Sequence, residues 1–281
     1  MSVKEKSLLG KFDTIDKRFL LWTTVILMVV TSLHPLGLPV PITDNVKKFY
    51  DGLNSLPSGA VVLVSQDCDP TRFAEYGGGL IALFKQLSTR PLKVIIFTVA
   101  DPACVPVTER YFIPILKDAK KVYGVDYVDI GYIPGDEAAV VRTASDLKSI
   151  INKDYYGNDI ASLELLKNID GAQDIKDTGG AIFVTGNGSF YYTRQDWTVK
   201  YHVTCFCING VTDLGPLTPF INEGLITYII AGLPQCAAYE TVIGSLGLSS
   251  GAVEALTIAV LLLFVAIVLG NISYLSKRRR Q

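Results

Sequence analysis

Ala60-Val61-Val62-Leu63-Val64 stands behind Ser58-Gly59 and runs into Ser65-Gln66-Asp67. A short, mostly β-branched apolar run with no polar alternation reads as a strand buried on both faces, which is how strands of a parallel sheet read. Leu92–Val99, LKVIIFTV, is a second such run, and Tyr127–Tyr132, YVDIGY, a third. Between them lie Gly79–Leu87, GLIALFKQL, and Tyr111–Val122, whose apolar residues recur at helical spacing; Ala138–Ile151 is a third helix. Strand and helix thus alternate three times, the signature of βαβ units.

Further along, Tyr155–Gly180 is polar and rich in Asp, Asn and Gly, a surface excursion with a helix at Ile160–Lys167. Ala181–Thr185, AIFVT, resumes the strand pattern. Val199–Ile208 then alternates Val199, Tyr201, Val203 and Cys205 against Lys200, His202 and Thr204, which predicts another strand. Asn222–Ile243 is apolar but broken by Gly224, Gly232 and Pro234; it reads as a helical hairpin on the sheet or at the bilayer surface.

The chain ends are of a different kind. Ala255–Ser276, ALTIAVLLLFVAIVLGNISYLS, holds 22 residues without a charge. As a helix it covers about 33 Å, enough for a hydrocarbon core of about 30 Å. Phe19–Val40 is a second apolar run. The predicted organisation is a basic tail over residues 1–18, a transmembrane helix over 19–40, an α/β domain over 41–250, a second transmembrane helix over 251–276 and a basic tail over 277–281. The fold class is therefore α/β: a doubly wound, mostly parallel, Rossmann-like sheet domain between two membrane helices.

Charge sets the expected topology. Nine of the 26 bases and four of the 27 acids lie in the tails or at Glu254, so the middle keeps 17 bases and 23 acids, a net charge of −6. An acidic domain without a basic patch argues against nucleic acid as a partner. Lys4, Lys6, Lys11, Lys17 and Arg18 precede the first run, and Lys277, Arg278, Arg279 and Arg280 follow the last. By the positive-inside rule both termini face the cytoplasm and the domain lies outside a plasma membrane. A cleaved signal peptide is the competing reading of Phe19–Val30, opposed by the long basic region before it and the lack of a small-x-small site.

In a doubly wound sheet ligands bind beyond the carboxyl ends of the strands. The sequence places Ser65, Gln66, Asp67 and Asp69 after the first strand, Asp101 after the second, Asp136 after the third and Asn187 after the fourth. Converging carboxylates would suit a divalent cation held through oxygen, and the amides and hydroxyl a polar solute. The alternative is that Asp and Pro cap helices and shape turns. Gly77-Gly78-Gly79-Leu80-Ile81-Ala82 matches G-x-G-x-x-A, but twelve residues separate it from the first strand, so close helix–sheet packing accounts for the glycines better than a dinucleotide does. His34 and His202 are the only histidines, and no G-x-S-x-G elbow occurs. Five cysteines show no zinc spacing; Cys205 and Cys207 share one strand face, and buried thiols are expected.

Several stretches resemble a family of uncharacterised bacterial and archaeal integral membrane proteins with two spans and an α/β domain between them. These are LPVPIT at Leu38–Thr43, LPSGAVVLVSQDCDP at Leu56–Pro70, VDYVDIGYIPGDEAAV at Val125–Val140, DYYG at Asp154–Gly157 and GLPQCAAYE at Gly232–Glu240. Gln235 and Cys236 depart from the smaller or basic residues expected there. The resemblance implies an architecture and no catalytic residues. Two functions fit: a non-catalytic component that binds a solute or a partner, which is another integral membrane protein or a second copy of the chain, and a metal-assisted membrane enzyme using Asp67, Asp69, Asp101 and Asp136.

Overall fold

The computed structural model describes residues 17–186, 190, 192 and 196–278 of the chain. It divides into two units: Val40–Ser245, and Met1–Pro39 with Leu246–Gln281.

The first unit is built on six strands, β1 (Val61–Ser65), β2 (Lys93–Thr98), β3 (Tyr127–Tyr132), β4 (Ala181–Thr185), β5 (Thr204–Asn209) and β6 (Tyr228–Ala231). They form one sheet in the order β3-β2-β1-β4-β5-β6, and every neighbouring pair is parallel. That is the strand order of a doubly wound dinucleotide-type fold, whose order reverses between β1 and β4. All five residues of β1 are buried, as its unbroken apolar run requires. Leu63 sits level with Ile95 on one side and Ile182 on the other.

Alternate residues of each strand feed two cores. Val62, Val64, Ile96, Phe183 and Phe206 face one layer of helices, with α2 (Asp44–Asn54), α3 (Phe73–Ser88) and α11 (Gly232–Val242). Phe49 of α2 lies edge-on to the Phe206 and Tyr239 rings, both at 5.2 Å, and Phe183 stacks on its register partner Phe206 at 4.4 Å. Leu63, Ile95, Val128, Ile182 and Cys205 face the other layer, with α6 (Asp136–Ser145), α8 (Ala172–Asp177) and α10 (Leu214–Asn222). Between β2 and β3 the chain forms α4 (Cys104–Val107), a π-turn (Thr108–Phe112) and α5 (Ile113–Asp118). The remaining short helices are α7 (Leu147–Ile150) and α9 (Asp196–Val199).

Three expectations need correction. The fifth strand begins at Thr204, because Val199 closes α9 and His202 takes a φ of 53°, which no strand residue has. Asn222–Ile243 is β6 followed by α11, not a helical hairpin: Tyr228–Ala231 finds the open edge of β5, a partner that no local pattern announces. Ile160–Lys167 forms two 3-10 turns, Ile160–Ser162 and Glu164–Leu166, instead of a helix.

The second unit holds α1 (Lys17–Leu33) and α12 (Leu248–Arg278), packed against each other. Among the described residues one helix is long and apolar enough to cross a membrane, Leu248–Ile272. The expected first span over 19–40 is not a continuous helix. Its apolar helical part is Leu21–Leu33, and residues 35–43 have no regular secondary structure. The cause is local: Pro35 disfavours helix at His34, and Gly37 adopts a φ of 78°. The freed amides find a partner in Glu254. Its carboxylate accepts from the backbone N–H groups of Leu36, Gly37 (2.7 Å) and Leu38 (2.9 Å). That explains how a carboxylate 1% exposed sits one residue before the uncharged run. At Gly251 the helices come so close that a Cβ would lie 2.7 Å from the Ser32 carbonyl oxygen.

Candidate functional site

The carboxyl edge of the sheet is where the sequence places its polar residues, and the structure gives most of them work within the fold. Asp67 follows β1 and is 3% exposed. Its Oδ1 accepts from the Thr98 hydroxyl (2.6 Å) and from the amides of Val99 (2.9 Å) and Ala100 (3.0 Å). Its Oδ2 accepts from the Ser65 hydroxyl (2.6 Å), and its amide donates to Thr185 Oγ1 (2.8 Å). The side chain thereby ties the ends of β1 and β2 together, and the backbone amide adds the end of β4. Burial pushes its pKa above the usual carboxylate value, and the four donors pull the other way. Gln66 braces the same turn, donating to the Cys68 carbonyl (3.0 Å) and accepting from the Thr108 hydroxyl (3.2 Å).

The other aspartates do not join Asp67. Asp69 Oδ1 accepts from the Thr71 amide (2.7 Å) and hydroxyl (2.5 Å) and from the Arg72 amide (3.2 Å), at the start of α3. Slight burial acts to raise its pKa, but the Thr71 and Arg72 donors outweigh it and hold the group below its usual value. Asp101 Oδ1 accepts from the Ala103 amide (2.7 Å), closing the turn into α4. Asp136 is exposed at the first turn of α6, with a φ of 46°. Asn187, with the Asn187–Ser189 sequon, lies outside the described residues. Among the described residues no three His, Cys, Asp or Glu side chains are placed to hold a metal ion.

The point where strand order reverses, between β1 and β4, is filled by the protein itself. A Cβ on Gly186 would meet the Asp67 carbonyl at 2.3 Å and the Tyr76 hydroxyl at 3.0 Å. Beside it runs a polar chain absent from the sequence reading. Arg72 faces Asp69 and Asp213, each at 3.8 Å; Asp213 accepts from the Asn209 amide, which also donates to the Gly186 carbonyl, both at 3.2 Å. Glu75 on α3 accepts from the Val211 amide (2.8 Å). Arg72, just before α3, and Glu75, on its first turn, both reach the 3-10 turn Val211–Asp213 that follows β5; a helix predicted to begin at Gly79 leaves them out.

Nucleophilic chemistry has little footing here. All five cysteines are free and buried. Desolvation pushes the Cys104 thiol up to about 12 and the Cys68 and Cys236 thiols higher still, so none is a ready thiolate at neutral pH. His202 is exposed in the loop before β5. The Gly77–Ala82 match lies within the body of α3 instead of at the strand–helix turn, and a Cβ on Gly79 would meet Cys236 Sγ of α11 at 2.6 Å. Close packing is indeed what that glycine serves, against a helix more than against the sheet. Glu240 is 2% exposed on α11. A cavity of about 280 Å³ lies beyond β3, lined by Pro134, Gly135, Ala138, Arg142, Ser149 and neighbours. Compared with models of known protein families, with curated proteins and with solved structures, the chain gives no match.

Proposed function

We propose that the chain is a membrane-anchored, non-catalytic component whose α/β domain binds a partner, either another integral membrane protein or a second copy of itself. The observation that carries this is α12: Val260, Leu263 and Phe264 are 64, 62 and 64% exposed along a helix long enough to cross a bilayer. Apolar surface of that extent calls for lipid or for a neighbouring helix. The non-catalytic part is supported by the sheet edge, where Asp67, Asp69 and Asp101 each satisfy the fold's own donors. By the charge of the tails, both termini face the cytoplasm and the domain faces outward at the plasma membrane.

Because the five native thiols are buried, a single Lys176→Cys reports the domain's side in intact cells. Labelling by an impermeant maleimide is expected, and protection until lysis refutes the outward topology. Cross-linking in membranes followed by mild-detergent purification tests the partner; recovery as a monomer with nothing attached counts against binding. A second reading, in which the domain holds a small anionic solute, is favoured by Arg142 and Ser149 in the cavity beyond β3. It requires a small carboxylate to raise the melting temperature of the wild type and not of Arg142→Ala.

A further inference from the structure

YVDIGY carries a carboxylate in the body of a strand, and that residue has no part in the sheet-edge knot. Asp129 of β3 is 1% exposed. Its Oδ1 accepts from the Gly131 amide (2.9 Å) where the register with β2 slips between Ile96 and Phe97. Its buried Oδ2 makes no hydrogen bond of ordinary length among the described residues. Facing it is Glu109, on the π-turn Thr108–Phe112, whose charge adds to burial in raising the Asp129 carboxyl. Such wide turns are rare and concentrate at functional positions.

A surface segment, residues 152–159, closes over this pair. The Tyr156 hydroxyl donates to Glu109 Oε1 (2.6 Å), and the Tyr155 amide donates to the Asp129 carbonyl (3.0 Å) on the outer edge of β3. The Tyr123 hydroxyl donates to Asp154 Oδ2 (2.5 Å), and the Asn158 amide to Asp154 Oδ1 (2.8 Å). The titratable groups around Asp129 are Glu109 from the π-turn, Asp154 and Tyr156 from the segment, Tyr123 before the strand and Tyr127 on it. None is cationic, and no ion pair among the described residues reaches Asp129 or Glu109.

We propose that Glu109 and Asp129 hold one proton between them as a latch, and that its loss to solvent releases the 152–159 segment from the β3 edge. Two carboxylates in contact do not both ionise cheaply, least of all when one oxygen is buried without a donor. Burial, and after it the Glu109 carboxyl, pushes Asp129 up to about 7. The folded protein therefore holds this proton more tightly than the unfolded chain, whose carboxyls titrate near 4. The sign follows: the stabilisation is complete below pH about 4, falls as pH rises, and is gone above about 7. The apparent value belongs to the pair as a unit. Release falls on the segment because Tyr155, Tyr156 and Asn158 are exposed, whereas β3 and Phe112 are anchored in the core. Nothing here depends on the membrane topology.

Hydrogen exchange of the full chain in detergent micelles, from pH 5.5 to 9 and corrected for the intrinsic base-catalysed rate, tests the latch. Protection over residues 152–159 should fall by up to about tenfold per pH unit from pH 5.5 to about 7 and level off above it, while β1 and β4 stay unchanged. In Asp129→Asn protection should be flat with pH; in Glu109→Gln burial still raises Asp129 but the facing charge is gone, so the fall should move to lower pH. Should Asp129→Asn fail to fold, the half-buried Glu109→Gln decides alone. Protection independent of pH in the wild type, the same fall in Asp129→Asn, or an unshifted fall in Glu109→Gln overturns the proposal. So does a pH-independent segment that gains protection on adding calcium, since the pair would then be a cation site.

Discussion

Replacing Asp67 separates a carboxylate that holds the sheet together from one kept for a ligand. In Asp67→Ala the amides of Val99 and Ala100 lose their acceptor, and the hydroxyls of Ser65 and Thr98 must turn elsewhere. A buried donor left without a partner costs about 1–3 kcal/mol. The Thr98 hydroxyl has a fallback in the Asp101 carbonyl at 3.4 Å, and Ala100 is only half-buried. The two amides therefore dominate, and the expected loss is about 3–5 kcal/mol. For a domain of this size that lowers the melting temperature by roughly 10 °C. Asp67→Asn keeps one oxygen for the three donors on Oδ1 and offers its amide to Ser65, so it should lose only about 1–2 kcal/mol. The assay is thermal unfolding of the full chain in detergent, followed by the fluorescence of Trp197, in a Trp22→Phe background so that α1 adds no signal. Trp197 is fully buried, with its indole N–H donating to the Val140 carbonyl at 3.0 Å, and reports the domain core. Both variants melting within about 1 °C of the wild type would refute the structural role, and equal losses in both would show that the charge itself matters, as it would for a cation ligand.

Other outcomes follow from packing and burial. Phe49→Ala opens a cavity among Phe183, Phe206 and Tyr239 and should cost about 3–5 kcal/mol in chemical denaturation, whereas exposed Lys48→Ala should cost under about 0.5 kcal/mol. Glu254→Ala leaves the amides of residues 36–38 without their acceptor; limited proteolysis in detergent should then cut between α1 and α2 faster than in the wild type, and an unchanged rate would rule out the clasp. The five thiols should stay unreactive toward a water-soluble disulfide reagent at pH 8 until denaturant is added, since burial keeps the reagent from them; rapid reaction of any one would contradict its burial.

Local residue types were enough to set the parallel core. AVVLV, LKVIIFTV and AIFVT are too apolar to have a wet face, and each is a buried strand within a residue or two of its predicted bounds. The helices between them also announce themselves by spacing, although α3 starts at Phe73, before the glycines, where the pattern is faint. For the site, Ser65, Gln66, Asp67, Asp69 and Asp101 all lie at the carboxyl edge as expected. What they do there depended on distances: a carboxylate beside Thr98 and two strand-end amides is a clasp, whereas the same residue a few ångströms away would be a ligand. The Asp129–Glu109 pair left one visible mark, an acid within an apolar strand, but its partner is contributed by a π-turn that no periodicity predicts.

By itself, then, the sequence determined the alternation of buried strands and helices and the long apolar helix after Leu248, though not that the run over 19–40 is broken, because burial on both faces and unbroken hydrophobicity are properties of a residue run alone. Tertiary structure decided the rest. It set the order β3-β2-β1-β4-β5-β6, made Tyr228–Ala231 a strand, and gave the amides of residues 36–38 their acceptor in Glu254. Each of these turns on a partner more than twenty residues away, and hydrogen-bond donors and acceptors find such partners only once the chain has folded.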